Sequence, residues 1–242
     1  MNAYHALVAD WNDTLHTMAR SKAFVLMGTG EITARQYACV LRQVFHYVRE
    51  SSQTMTLACS HFRGAQRAMI KTLMRHATSE SGHEFLALHD IAALGEDTTN
   101  IPFERPLPAT FALTASIFHL IEHHEPLSIL GYMFQLEYTP TQVGPKYIAA
   151  LERAGIPRTA MTFLGEHSEV DVAHCKLLAQ YCKTLIRTPE QLESVLYARR
   201  VTAELYAEML DKSIEFADRW KDMSPLNPEE LRHAPSELAA TG

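Results

Sequence analysis

What most limits the folds open to this chain is how little of it can stop a helix. Across 242 residues there are 10 Gly and 11 Pro, and they gather at a few points. Between those points apolar residues recur at helical spacing, with no strand-like alternation. Thr33 and Gln36 have the T-x-x-Q spacing of a capping box. Tyr37, Val40, Leu41, Val44 and Val48 then share one helical face in a pattern running to about Cys59. A further helix is expected over about residues 65–94, with Gly95 as its C-terminal stop. Prolines at 102, 106 and 108 mark a loop. A helix follows over residues 109–123, and Pro126 suits the first turn of the next, which Pro140 and Pro145 are expected to kink or split before Ala154. After a turn at Gly155-Ile156-Pro157, two helices are expected over about residues 159–186 and 189–220, then an irregular Pro-rich tail from about residue 223. With no internal repeat and no long linker, residues 1–242 read as one all-α domain, a bundle of about seven helices.

Charge and composition exclude several functions. Lys and Arg number 22 against 28 Asp and Glu, a net charge of −6. No basic run exists to release phosphate counterions, so no nucleic-acid partner is expected. No run of eighteen apolar residues suggests a membrane span. The first residues carry Asp10 and Asp13 and lack a signal peptide's basic-then-apolar layout. Cys39, Cys59, Cys175 and Cys182 are scattered, without paired metal spacing, so a reduced, cytoplasmic protein is expected. The oddity is 13 histidines, which prompts a search for metal ligands.

Three segments place acidic and imidazole groups on helical stripes. Glu80 and His83 are three residues apart, with His76 four and seven residues before them. Glu137 stands inside GYMFQLEY, among apolar and aromatic neighbours and with no Lys or Arg within one turn. His167, Asp171 and His174 form H-x3-D-x2-H, a triple for which chance predicts about 0.02 occurrences in such a chain. A carboxylate facing a helical core is costly unless paired or bound to a cation. Three carboxylates with three imidazoles would neutralise most of the charge of two divalent ions, and this mixed donor set from bundle helices suits iron or manganese more than zinc. Taken singly, Glu80 and His83 read equally well as a solvated helix face; the three segments together carry the metal reading.

In this order the segments resemble the haem-oxygenase-like di-iron oxidases, often described as iron-containing redox enzymes and related to the thiaminase-like and pyrroloquinoline-quinone synthase proteins. The resemblance spans about residues 28–206, including Q-x2-H-Y-V-R-E at residues 43–50 and P-L-S-I-L-G-Y from Pro126. Carried onto this sequence, it implies a haem-oxygenase-like bundle whose metal ligands are Glu80, His83, Glu137, His167, Asp171 and His174, with Glu80, Glu137 and Asp171 as the catalytic carboxylates. One position departs. Some relatives carry the first carboxylate seven residues before the histidine, where this chain has His76; others carry it three before, which fits Glu80. His76 is then a spare ligand or a neighbour of the ligands.

The resemblance further implies two Fe ions, with Mn as the alternative, O2 as co-substrate, a small-molecule substrate and a homodimer. Outcomes in the group include C–C cleavage, N-oxygenation and self-sacrificing aromatic amine synthesis. Three carboxylates leave two divalent ions about one unit positive, so a substrate carboxylate is expected nearby, with Lys146 or Arg75 as candidate anchors. Met133, Phe134, Tyr138 and His46 are candidate pocket residues. His119, His123 and His124 sit beside Glu122 and Glu125 and read as a solvated helix end. Two alternatives remain. One is a metal-free thiaminase-like or quinone-synthase-like enzyme using Cys175 or a Tyr; the other is a non-catalytic metal or ligand carrier.

Overall fold

The capping box at Thr33 is formed as the sequence predicts. The Thr33 side chain accepts from the Gln36 N–H at 3.2 Å, and the Gln36 side chain accepts from the Thr33 N–H at 2.9 Å. Replacing Thr33 with Ala is expected to cost about 1 kcal/mol in urea unfolding, the usual value of such a cap. The computed structural model describes residues 2–217 and residue 219. The predicted helix end at Trp220 and the tail from about residue 223 lie outside the described residues.

Among the described residues the chain is helical throughout, with short 3-10 turns. In order the helices are α1 (Ala3–Asp13), α2 (Leu15–Arg20), α3 (Lys22–Thr29), α4 (Ala34–Val48), α5 (Ser51–His61), α6 (Ile70–Glu80), α7 (Glu84–Ala93), α8 (Pro108–His123), α9 (Ser128–Arg153), α10 (Thr162–Leu185) and α11 (Pro189–Glu215). The sequence led us to expect about seven. The surplus comes from the N-terminal segment, divided into α1 to α3, and from two long patterns that break. The helix expected to run to Cys59 breaks at Arg49 and Glu50, where Ser51 and Ser52 start α5. Serines favour helix starts over interiors, and Arg49 turns to Glu50 and to the Pro102 carbonyl. The helix expected over residues 65–94 breaks at Gly82, whose φ of 99° is open to glycine at little cost. Conversely, α9 runs unbroken through Pro140 and Pro145, because α10 and α11 pack along it and hold its two halves in line. Pro126 lies just before α9 rather than in its first turn.

The core is one continuous apolar cluster with α9 at its centre and α10 and α11 beside it. α4 is buried on nearly every face, so its polar groups need partners. Arg42 pairs with buried Glu104, and the Gln43 side-chain Oε1 accepts from the Leu107 N–H and the Thr110 hydroxyl. These bonds fix the Pro-rich loop against α4. Asp10 of α1 pairs with Arg199 and Arg200 of α11, and Arg199 also donates to Gln135 of α9. Among the described residues no helix is long and apolar enough to cross a membrane.

Candidate metal centre

The start of α10 shows how the bundle aims its side chains. Asp90, on α7 and fully buried, accepts from the Thr162 N–H at 2.9 Å, the Thr162 hydroxyl at 2.6 Å and the Phe163 N–H at 2.9 Å. A carboxylate from another helix thus satisfies the free N–H groups at the α10 N-terminus and sits at the positive end of its dipole. This ties α7, which His83 immediately precedes, to the first turns of α10, which carry His167. Asp90's role is invisible in the sequence, because the α10 groups that donate to it lie more than seventy residues away.

The six sequence-predicted ligands come together, and His76 joins them. His76 and Glu80 come from the end of α6, His83 from the turn before α7, Glu137 from the middle of α9, and His167, Asp171 and His174 from one face of α10. Glu80 and His83 are therefore not on one helix face, as their spacing implied; the Gly82 turn brings them together instead. Glu80 is central. His174 Nδ1 lies 3.3 Å from its Oε1, His83 Nδ1 lies 3.5 Å from its Oε2, and His76 Nε2 lies 3.8 Å from its Oε1. His76 Nε2 also lies 3.5 Å from Glu137 Oε1, and His174 Nδ1 lies 3.2 Å from Asp171 Oδ1. His83 is the most exposed of the set; the other six residues are buried.

Two donor triads result: His76, Glu80 and His174, and Glu80, His83 and His167. In each, one ligand atom per residue lies within 4.8 Å of the others. Glu80 belongs to both. His167 Nδ1 lies 2.8 Å from the Phe163 carbonyl, which can only accept. Nδ1 therefore carries the proton, and the Nε2 lone pair is left for a cation. Both nitrogens of His76, Glu80 Oε1, Glu137 Oε2 and Asp171 Oδ2 are buried without hydrogen-bond partners. Orphaned buried donors and acceptors of this density are costly unless something binds there, and a mixed carboxylate–imidazole set fits a divalent cation.

The electrostatics agree. Burial, then repulsion from Asp171 and Glu80, pushes the Glu137 carboxyl well above its usual range. Burial also raises Asp171, to about 6, against the opposing hydrogen bond from His174. Burial works to raise Glu80 too, but the His83 hydrogen bond and the neighbouring imidazoles outweigh it and hold Glu80 low. Burial lowers His76 to about 4 and lowers His167, while the Glu80 hydrogen bond raises His83. Without a cation the cluster limits its negative charge by keeping the Glu137 carboxyl protonated.

Beside the cluster is a cavity of about 30 Å³ lined by Tyr47, Val48, Ser51, Met55, Tyr132, Met133, Leu136 and Phe163, together with Glu80, Glu137 and His167. Of the four residues expected in a substrate pocket, Met133 lines it. Phe134 and Tyr138 stack on each other at 4.7 Å and pack edge-on against Tyr4 and Trp11 of α1, away from the cavity. His46 opens instead on a separate cleft between α4 and α8. Neither expected anchor reaches the cavity, since Arg75 and Lys146 are both on the exposed surface. Cys175, whose Sγ is 4.0 Å from the Glu137 carbonyl, has its thiol pushed up to about 12 by burial and then by Glu137 and Asp171. That setting is opposite to an activated nucleophile's.

The backbone resembles several solved structures of one fold. A domain of unknown function with a heme oxygenase-like fold from Shewanella denitrificans has a TM-score of 0.80 at 22% identity, covering 92% of this chain and 95% of that one. A TenA homolog from Pseudomonas syringae has 0.73 at 13% identity, covering 87% and 92%, and a CADD-like protein of unknown function from Nostoc punctiforme has 0.65 at 18%, covering 88% and 98%. The fold is thus haem-oxygenase-like. No curated protein matches by sequence. The model of the iron-containing redox enzyme family matches residues 39–207, and the chain belongs to that family. The matched span contains all seven clustered side chains.

Proposed function

We propose that this protein is a non-haem di-iron oxidase or oxygenase that uses O2 to oxidise a small, carboxylate-bearing substrate. The observation that carries the reading is Glu80, one buried carboxylate shared by two donor triads. Glu80, His76 and His174 would hold one ion, with Glu137 and Asp171 beside it; Glu80, His83 and His167 would hold the other. When bound, the two irons would supply the electrons that activate O2. The chain's own part is to orient the ligands, through the Phe163 carbonyl on His167 and the Gly82 turn on His83, and to keep bulk water out with the walls formed by Met55, Met133, Leu136 and Phe163. The cavity lining contains no lysine or arginine, so a substrate carboxylate would be neutralised by the ions themselves.

The test is anaerobic loading with Fe(II) followed by mixing with O2. Close to two irons per chain and a transient visible absorption are expected. Activity that survives chelation and depends on Cys175 would favour the metal-free alternative. Iron binding without O2-dependent consumption of any bound organic acid would favour a carrier.

The acid–base setting of the cluster gives a further expectation. Glu137 and Asp171 have raised folded pKa values, and unfolded carboxyls ionise near about pH 4. In the metal-free protein both groups therefore lower stability progressively as pH rises through that range and through about 6. Bound cations require ionised carboxylates and neutral imidazoles, so they remove this penalty. The difference in Tm between metal-loaded and metal-free protein is expected to widen from about pH 5 to about pH 8. A gap that stays constant across that range would count against Glu137 and Asp171 as ligands.

A further inference from the structure

The sequence set aside His119, His123 and His124 as a solvated helix end, and they are exposed on the last turn and cap of α8, apart from the buried cluster. Yet the rings gather. The centroids of His119 and His123 are 4.8 Å apart, and those of His119 and His124 are 5.2 Å apart. Two imidazoles on one tetrahedral ion, with metal–nitrogen bonds of about 2.0–2.1 Å, have centroids about 5 Å apart. Residues 119, 122 and 123 share one face of the helix, which adds Glu122, whose Oε2 lies 3.9 Å from His123 Nε2. All three belong to the last turn of α8, where the negative end of the helix dipole favours a cation.

A second, independent feature points to a polar occupant. The same residues line a cleft of about 640 Å³, whose other walls include Phe111 and Glu50 and whose floor is His46. His46 is 2% exposed, and both of its ring nitrogens lack hydrogen-bond partners. Burial, then Arg49 and Arg42, keeps that ring neutral, with its pKa lowered to about 4. A neutral buried imidazole without donor or acceptor is costly, so this wall of the cleft favours a polar occupant over an apolar one.

We propose that the C-terminal turn of α8 is a separate divalent-metal site, in which His119 and His123 hold a borderline transition-metal ion such as Zn²⁺ or Co²⁺, and Glu122, whose carboxylate reaches His123 but does not converge with both imidazoles in the metal-free chain, would turn in as third donor. Imidazole-rich sets of this kind select Zn²⁺, Co²⁺, Ni²⁺ or Cu²⁺ over Mg²⁺ and Ca²⁺. The site does not depend on the oxidase reading, since none of its residues belongs to the buried cluster.

The test is titration of the full chain with Co²⁺, followed by visible absorption, and with Zn²⁺, followed by calorimetry. It compares the wild-type chain, the double variant His119→Ala/His123→Ala and the variant His167→Ala. The double variant is expected to lose one equivalent, or to bind it at least tenfold more weakly, while its buried cluster loads iron as the wild type does. His167→Ala is expected to keep the α8 equivalent while losing ions from the cluster. A double variant that titrates like the wild type would overturn the proposal, as would one that also loses the buried ions.

Discussion

If the chain holds the proposed pair of irons, replacing Glu80 with Gln is expected to strip it of nearly all of them, from about two ions per chain to below about half an ion, while leaving the bundle folded. Glutamine keeps the shape and one oxygen donor but removes the negative charge that both triads share. Each ion then loses an anionic ligand, and two cations a few ångströms apart lose the group that screens them from each other. His83→Ala is the control, since His83 belongs to only one triad and about one iron should remain. Helix content should not fall in either variant. Glu80 is the last residue of α6 and His83 precedes α7, so neither substitution removes a core apolar group. The metal-free Glu80→Gln protein should melt somewhat lower than metal-free wild type, because His83 and the neighbouring imidazoles hold the Glu80 carboxyl low and so favour its ionised form in the fold. Iron per chain after anaerobic loading and desalting, with circular dichroism alongside, decides the matter. Two irons retained by Glu80→Gln would remove the shared carboxylate from the proposal, and equal losses in both variants would show that the ions bind only as a pair.

The legible part of the fold was the part governed by local chemistry. The Thr33–Gln36 box starts α4, Pro189 stands at the first position of α11, and the apolar stripe of α4 is buried as its period implied, whereas Pro108, read as the end of a loop, opens α8. Errors arose where tertiary packing overrides such signals. The helix expected over residues 65–94 passes over Gly82, where the chain in fact turns with a φ of 99°. Pro140 and Pro145 looked like breaks because the packing of α10 and α11 on α9 cannot be read from α9 alone.

At the candidate site the residue types were legible, but their directions were only partly so. The H-x3-D-x2-H triple lies on one continuous helix, so its spacing fixes a common face. His76 was undervalued because a carboxylate was expected at that position; in the structure it lies between Glu80 and Glu137. Phe134 and Tyr138 were chosen as neighbours of Glu137 in sequence. A step of one residue turns a helix by about 100°, which carries Tyr138 to the α1 side, whereas Met133, four residues before Glu137, stays on the cavity side. On α9, Met133 and Leu136 thus border the cavity beside Glu137, while Phe134 and Tyr138 turn to α1.

Gly131→Ala is expected to destabilise the protein by more than about 4 kcal/mol, against a typical total of about 5–15 kcal/mol, and to lower soluble yield sharply. Gly131 lies in the P-L-S-I-L-G-Y run, whose sequence suggested family membership but not a physical role for the glycine. A Cβ there would stand 2.0 Å from the Val195 carbonyl oxygen and 2.8 Å from the Arg199 N–H nitrogen. Both obstacles are α11 backbone, so no rotamer change can clear them. Relief requires α9 and α11 to move apart by more than about 1 Å, in an interior packed too densely to absorb such a shift. That separation would also pull Gln135, one turn along α9, from Arg199 and disturb the pair that fully buried Arg199 makes with Asp10, where losing the partner of a buried charge costs about 3–5 kcal/mol. Because α9 also carries Glu137, any Gly131→Ala protein that does fold should load less iron. Gly165→Ala is the counterpart. It lies inside α10 with no atom within 4 Å of the added Cβ, and should gain about 0.5–1 kcal/mol from helix propensity. Thermal melts of the two variants therefore move in opposite directions from wild type. A Gly131→Ala protein that melts beside wild type would mean that α9 and α11 do not cross this closely, and the placement of Glu137 would have to be redrawn with them.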